Sequence, residues 1–295
     1  MLFGSGCGDG GRERARAVTP APTRPPAATE PPHETEPTAA TRSSVAPSAV
    51  SSAASRTPAP KPPPPRNIDC GRVDCVSLTF DDGPGPHTER LLDTLRATGV
   101  RATFFVLGEN VREHPGLVRR MVMEGHEVAN HTWSHVKLTG LSREGVRSQI
   151  RRTQEAVKDA AGVEPTLMRP PYGATDDRVG RLVGMPQILW SVDTLDWLHR
   201  DADRDAKLGI TKPDRGGIVL YHDIHKPTVD SIPRVIDGLK ERGFTLVTVG
   251  ELFRGEELKP GEAYTERNAN AELLTGSPSP AGSPAGPSKK PPDER

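Results

Sequence analysis

The chain has 295 residues, and its 39 Lys and Arg balance 39 Asp and Glu, so it has no net charge to favour nucleic acid or an anionic membrane surface as a partner. A neutral polymer suits it at least as well. No apolar run approaches the roughly 18 to 20 residues of a membrane span, and no GxGxxG or GxxxxGK[ST] loop offers a cradle for nucleotide phosphates.

Prolines divide the chain, because residues 67–259 hold only 10 of the 31. Residues 1–66 are mostly Pro, Ala, Thr and Ser from Ala15 onward, with no aromatic residue between Phe3 and Phe80. Such a segment buries too little apolar surface to offset its ordering entropy, so it is expected to be a disordered, extended tether. The tail 260–295 reads the same way. Between them lies one folded domain of about 190 residues, long enough for a substantial core.

Cys7 follows small residues and precedes the tether, which resembles a bacterial lipoprotein maturation site. The match is imperfect, since Gly4 stands where an aliphatic residue is usual and no charged, apolar leader precedes it. Lipidation of Cys7 in a precursor that starts upstream, giving a membrane tether, is one expectation. A plain N-terminal remnant is the other. Cys70 and Cys75 flank a four-residue turn, and with no second pair to complete a zinc site a disulfide is the favoured reading. It implies an oxidising, extracellular or cell-surface location.

Through 67–259 short apolar strands alternate with amphipathic helices. Strands are expected at 76–80, 102–107, 127–129, 166–169, 187–192, 218–221 and 244–249. Helices are expected at 87–98, 115–124, from Ser142 onward, 177–183 and 229–242. Seven strands in β-α order argue for an α/β fold with a parallel sheet, and their short, buried character suits a barrel. In such folds the chemistry gathers at the carboxyl ends of the strands.

Those ends carry the polar residues. The first runs into Asp81-Asp82-Gly83-Pro84, where a bend after two neighbouring acids would let them take separate jobs, one holding a metal and the other moving a proton. The third leads to His131-Thr132-Trp133-Ser134-His135. On a helical turn that His-x3-His spacing would put both imidazoles on one face, although nine histidines can produce it by chance. With Asp82 the pair would give two nitrogens and one oxygen around open positions, the form of a catalytic zinc site. His126 begins its strand at the opposite end and is read as structural. The next ends are Arg169-Pro170-Pro171-Tyr172, an arginine able to orient a carboxylate, then Asp193 to Trp197, then Leu220-Tyr221-His222.

These motifs, in this order, resemble the polysaccharide deacetylase family, also called carbohydrate esterase family 4 or the NodB homology domain, over residues 74–250. The resemblance implies a distorted barrel of seven or eight β/α units. It implies Asp81 as catalytic base, Asp82, His131 and His135 as metal ligands, and Arg169 positioning the base. Tyr172 would help hold the oxyanion through its backbone N–H, Asp196 would support Arg169, and Trp197 and Leu220 would line the pocket. His222 would be the general acid. The cofactor would be a divalent metal, zinc first, with cobalt or manganese as alternatives. The partner would be a polysaccharide, cut by a monomer that removes N-acetyl groups, or acetyl esters, from peptidoglycan, chitin or xylan. One stretch departs from the family pattern: 200–215 is short and charged, with no clear apolar stripe. Two other classes compete with this reading, a glycoside hydrolase using Asp81 with Asp193 or Asp196, and a silent wall-binding module. The hydrolase would leave the His pair unexplained, and no catalytic group is missing, as would be expected of the module.

Overall fold

The structure, a computed structural model, describes residues 62–267. Cys7, most of the expected tether and most of the expected tail lie outside the described residues. Among these, no helix is long and apolar enough to cross a membrane.

The strands are β1 (Cys75–Asp81), β2 (Thr103–Val106), β3 (Glu127–Asn130), β4 (Gln187–Ile188), β5 (Val192–Asp193), β6 (Ile218–His222), β7 (Thr245–Val247) and β8 (Ala263–Tyr264). The helices are α1 (Thr88–Thr98), α2 (Gly108–Glu113), α3 (Pro115–Met123), α4 (Arg143–Ala161), α5 (Asp177–Val183), α6 (Asp196–His199), α7 (Ala202–Thr211), α8 (Lys226–Glu241) and α9 (Val249–Leu252).

Among the described residues every pairing between these strands is parallel, and the main sheet runs β3-β2-β1-β6-β5. β7 joins the first residues of β1 while β2 joins its last, so β1 changes neighbour along its length. That is the distortion of the barrel. The arc continues from β3 through single bridges at Met168 to β4, which pairs with β8.

All seven residues of β1 are buried, as a strand covered on both faces requires. Its two-residue period sends Val76, Leu78 and Phe80 into the main core among the helices. There Phe80 stacks between Phe104 and Tyr221, with ring centroids 5.4 and 5.9 Å away. The alternate set, Ser77, Thr79 and Asp81, faces the other way, and the hydroxyl of Thr79 and the carboxylate of Asp81 both meet Arg169 there. A strand of this pattern therefore delivers its polar edge to one interior point.

Several expectations need correction. The expected strand 166–169 is reduced to one bridging residue, Met168, because Arg169 turns its side chain inward and two prolines follow. The expected strand 187–192 is two short strands. The segment 200–215, read as lacking an apolar stripe, contains α7, capped by the Asp201 carboxylate on the N–H groups of Asp203 and Arg204. Its buried residues are Asp205 and the small Ala206 and Gly209, and a Cβ at Gly209 would collide with the hydroxyl of Tyr221. Close approach rather than a stripe of large residues seats this helix.

Chain beyond the expected limits 67 and 259 also takes part. Arg66 forks onto the buried Glu251, with Nη2 at 2.7 Å, while β8 and Arg267 extend the contacts at the other end. Cys70 and Cys75 are joined in a disulfide, with Cα atoms 5.5 Å apart.

His126 sits at the start of β3, buried, its Nδ1 accepting the Ala102 N–H at 3.2 Å. Burial, aided by the charges of Arg101, Arg120 and Arg66, lowers its pKa to about 4. The folded state therefore holds a neutral imidazole where the unfolded chain binds a proton below its ordinary value. Its contribution to stability is intact above about pH 6.5 and is lost as pH falls toward 4, to the extent of roughly 3 kcal/mol. In thermal melts between pH 7 and 4.5, His126→Gln should flatten the fall in Tm relative to the unaltered protein. An equally steep fall would show that another group carries the acid sensitivity.

Candidate active site

The site assembles at the carboxyl ends of β1, β3 and β6. Asp81 is the last residue of β1, and Asp82 takes a left-handed backbone conformation with φ 70°. The break in the strand is thus at Asp82 itself, one residue earlier than the Gly83-Pro84 bend that the sequence suggests. It turns the second carboxylate toward the first instead of to the opposite face. Asn110 holds this turn by donating to the Asp82 carbonyl at 2.7 Å, and the Leu107 N–H donates to Gly83 at 3.0 Å.

His131 and His135 are not on a helical turn. They lie in a loop after β3, where Thr132 and His135 have φ of 72° and 54°. Asn130 accepts the Thr132 N–H, and Gln149 accepts those of Trp133 and Ser134, so side chains from β3 and α4 replace helical bonds. The result brings Asp82 Oδ1 within 3.5 Å of His131 Nε2 and 3.4 Å of His135 Nε2. One ligand atom from each of the three lies within 4.8 Å of the others. His131 Nδ1 lies 2.7 Å from the Arg169 carbonyl, which fixes the proton on Nδ1 and leaves the Nε2 lone pair facing the cluster.

The donor set fits a metal ion. Asp82 Oδ1 is buried with no hydrogen-bond partner, and a buried carboxylate oxygen left in that state is costly unless something else meets it. Burial raises the Asp82 pKa, but the nearby imidazoles of His131, His135 and His222 outweigh it and hold the group well below the usual carboxylate range. Burial also lowers His135, against the pull of Asp82, which favours the neutral imidazole that ligation needs.

Asp81 Oδ2 lies 3.6 Å from His131 Nε2, while Oδ1 accepts from Arg169 Nη1 at 2.7 Å. Arg169 is fully buried, yet only this one nitrogen meets the carboxylate. Nε and Nη2 donate to the carbonyls of Ile188 and Leu189, so the guanidinium is built into the barrel wall and acts as a fixed donor, not a two-pronged clamp.

Asp196 does not touch Arg169. Its Oδ1 lies 2.9 Å from His222 Nδ1, and its Oδ2 accepts from the His222 N–H and the Thr228 hydroxyl. The implied support of Arg169 is corrected to support of His222. With both oxygens committed and no exposure, Asp196 cannot flank a glycosidic bond. Burial lowers the His222 pKa, but the Asp196 hydrogen bond and charge, with Asp81 and Asp82 beyond, lift it to about 9.

One cavity of about 500 Å³ is lined by Asp81, Asp82, His131, His135, His222 and Leu220, with Tyr172 and Trp197 at its exposed rim. Tyr172 has φ 62° and its ring centroid lies 4.7 Å from that of His135. The sequence reading missed Trp190, Arg200 and His225, which also line the cavity. His225, three residues after His222, offered a spacing that could have flagged it. Trp190 offered none.

The polysaccharide deacetylase family model matches residues 69–185. A solved T48 deacetylase with substrate is 46% identical, with a TM-score of 0.66 over 67% of this chain and 99% of that one. The chain belongs to the polysaccharide deacetylase family. Within the family, peptidoglycan-N-acetylglucosamine deacetylase PgdA of Listeria monocytogenes is 47% identical over 65% of this chain, which spans only 41% of that protein's length. A family 4 acetyl xylan esterase from Clostridium thermocellum, solved with a cobalt ion, is 34% identical, with a TM-score of 0.63 over 65% of this chain and 98% of that one. Polysaccharide deacetylases thus include members named for different glycans, and the fold is common to them.

Proposed function

We propose that the protein is a metal-dependent hydrolase that removes N-acetyl groups from an N-acetylglucosamine-containing polysaccharide, peptidoglycan or chitin-like, outside the cell. The observation that carries this reading is the meeting of Asp82, His131 and His135 with Asp81 and His222 in one cavity. The names of the relatives support it.

Asp82, His131 and His135 would hold a divalent metal, zinc first. Such an ion supplies Lewis acidity to the acetamide carbonyl and makes water a stronger acid. Asp81 takes the proton of the attacking water through Oδ2, while Arg169 keeps Oδ1 in place. The new C–O bond puts negative charge on the carbonyl oxygen, which the Tyr172 N–H would help hold. His222 then gives its proton to the departing nitrogen as the C–N bond breaks. Asp196 orients the imidazole and keeps it charged for that step. Acetate leaves, and a free amine stays on the polymer.

Incubating the protein with acetylated peptidoglycan, chitin oligomers and acetyl xylan tests this reading. Acetate and primary amine should appear together, without new reducing ends, from at least one N-acetylated glycan. New reducing ends would mean glycosidic cleavage instead. The Cys70–Cys75 disulfide supports an extracellular or cell-surface place of action, and lipidation of Cys7 would add a membrane tether.

A further inference from the structure

Beyond His222 the cavity lining continues through His225, whose ring centroid is 6.2 Å from that of His222, to Arg200. Arg200 ends α6 in a left-handed conformation, φ 51° and ψ 42°, with its N–H donating to the Asp196 carbonyl at 3.1 Å. Its Nε donates to the Trp197 carbonyl at 2.8 Å. One edge of the guanidinium is thereby pinned to the turn that carries the proposed acid's partner, and Nη1 and Nη2 are left over. Among the described residues Arg200 forms no salt bridge, and the adjacent Asp201 carboxylate is spent on capping α7. Burial, then the charge of Arg200, holds His225 below the usual histidine range, so the imidazole beside the guanidinium is neutral near pH 7. Arg200 is thus a positive charge on this side of the cavity that, unlike His222, has no carboxylate partner among the described residues. It adjoins the half-exposed Trp197, a flat apolar surface of the kind on which a sugar ring can rest.

A neutral glycan offers only hydroxyl and acetamide groups, for which a guanidinium has no special fit. A carboxylate matches its planar fork with charge and parallel N–H donors. We propose that Arg200 is the binding point for a carboxylate on a sugar next to the one deacetylated, so that the site favours an anionic glycan over a neutral one. This rests on the deacetylase reading above and names the substrate class within it. A muramic-acid-type sugar, bearing a carboxylate on an ether-linked side chain, has the required chemistry. Chitin and xylan backbones do not.

The test uses the full chain loaded with zinc and one tetrasaccharide of alternating N-acetylglucosamine and N-acetylmuramic acid, in two forms. One keeps the carboxylates free, and the other has them converted to methyl amides. Acetate release gives kcat/KM for each. The unaltered protein should favour the free acid by roughly two- to fivefold at low salt, the scale of a rim contact between charged groups. That preference should shrink in 0.5 M salt as screening shortens the reach of the charge. Arg200→Ala should bring the ratio close to one, Arg200→Lys should keep part of it, and Arg200→Glu should favour the amide. A ratio near one in the unaltered protein, or one that Arg200→Ala leaves in place, overturns the proposal while the deacetylase reading stands. No acetate from either form or from chitin oligomers would overturn the deacetylase reading, and this inference with it.

Discussion

Asp81→Asn should bind metal at the same stoichiometry as the unaltered protein and lose about 10² to 10⁴ in kcat, the usual worth of a positioned general base. Asp81 Oδ2 approaches the cluster at 3.6 Å from His131 Nε2, but Oδ1 is committed to Arg169, so its part in holding the ion is secondary. Asn keeps the shape and an acceptor for Arg169 and cannot take a proton. Asp82→Asn should behave differently. Its Oδ1 is the oxygen shared between both imidazoles, so the neutral amide should weaken metal binding itself, and added metal should restore part of the rate. Elemental analysis of both proteins beside their kcat values decides the matter. Metal loss in Asp81→Asn with metal retained in Asp82→Asn would require the two roles to be exchanged.

His131→Ala and His135→Ala should each lower bound metal and turnover together, by a larger factor than any rim substitution. Removing one of three ligands leaves two, too few to compete with water for a divalent ion. His131→Ala should also unsettle Arg169, because His131 Nδ1 meets the Arg169 carbonyl at 2.7 Å. A loss of stability is therefore expected for His131→Ala and not for the half-buried His135→Ala. His126→Gln, at the opposite end of β3, is the control and should keep its metal content. Full activity in metal-free His135→Ala would remove His135 from the site.

How much of this was legible in the sequence follows from which forces act locally. β1 was readable because Val76, Leu78 and Phe80 alternate with Ser77, Thr79 and Asp81, and both sets are buried. The α4 helix was readable because Ser142 caps it, Gly162 ends it, and Val146, Ile150 and Val157 fall on one face. Residues from all five motifs line one cavity. What escaped depended on contacts distant along the chain. The loop 131–135 is shaped by Asn130 and Gln149, not by helical periodicity. Asp196 was read as supporting Arg169, yet its partners His222 and Thr228 lie 26 and 32 residues away. α7 escaped because small residues against Tyr221 do not form an apolar stripe. β8 escaped because its strand status comes from pairing with β4, not from its own composition.

The central claim is that a metal held by Asp82, His131 and His135 is required for the release of acetate. It is tested most directly by stripping the full chain with a chelator, removing the chelator, and titrating zinc back while measuring acetate from an N-acetylglucosamine glycan. The account predicts a stripped protein with almost no activity, and a rate that rises linearly and levels off at one zinc per chain. A stripped protein, metal-free by elemental analysis, that still releases acetate at the original rate would contradict it.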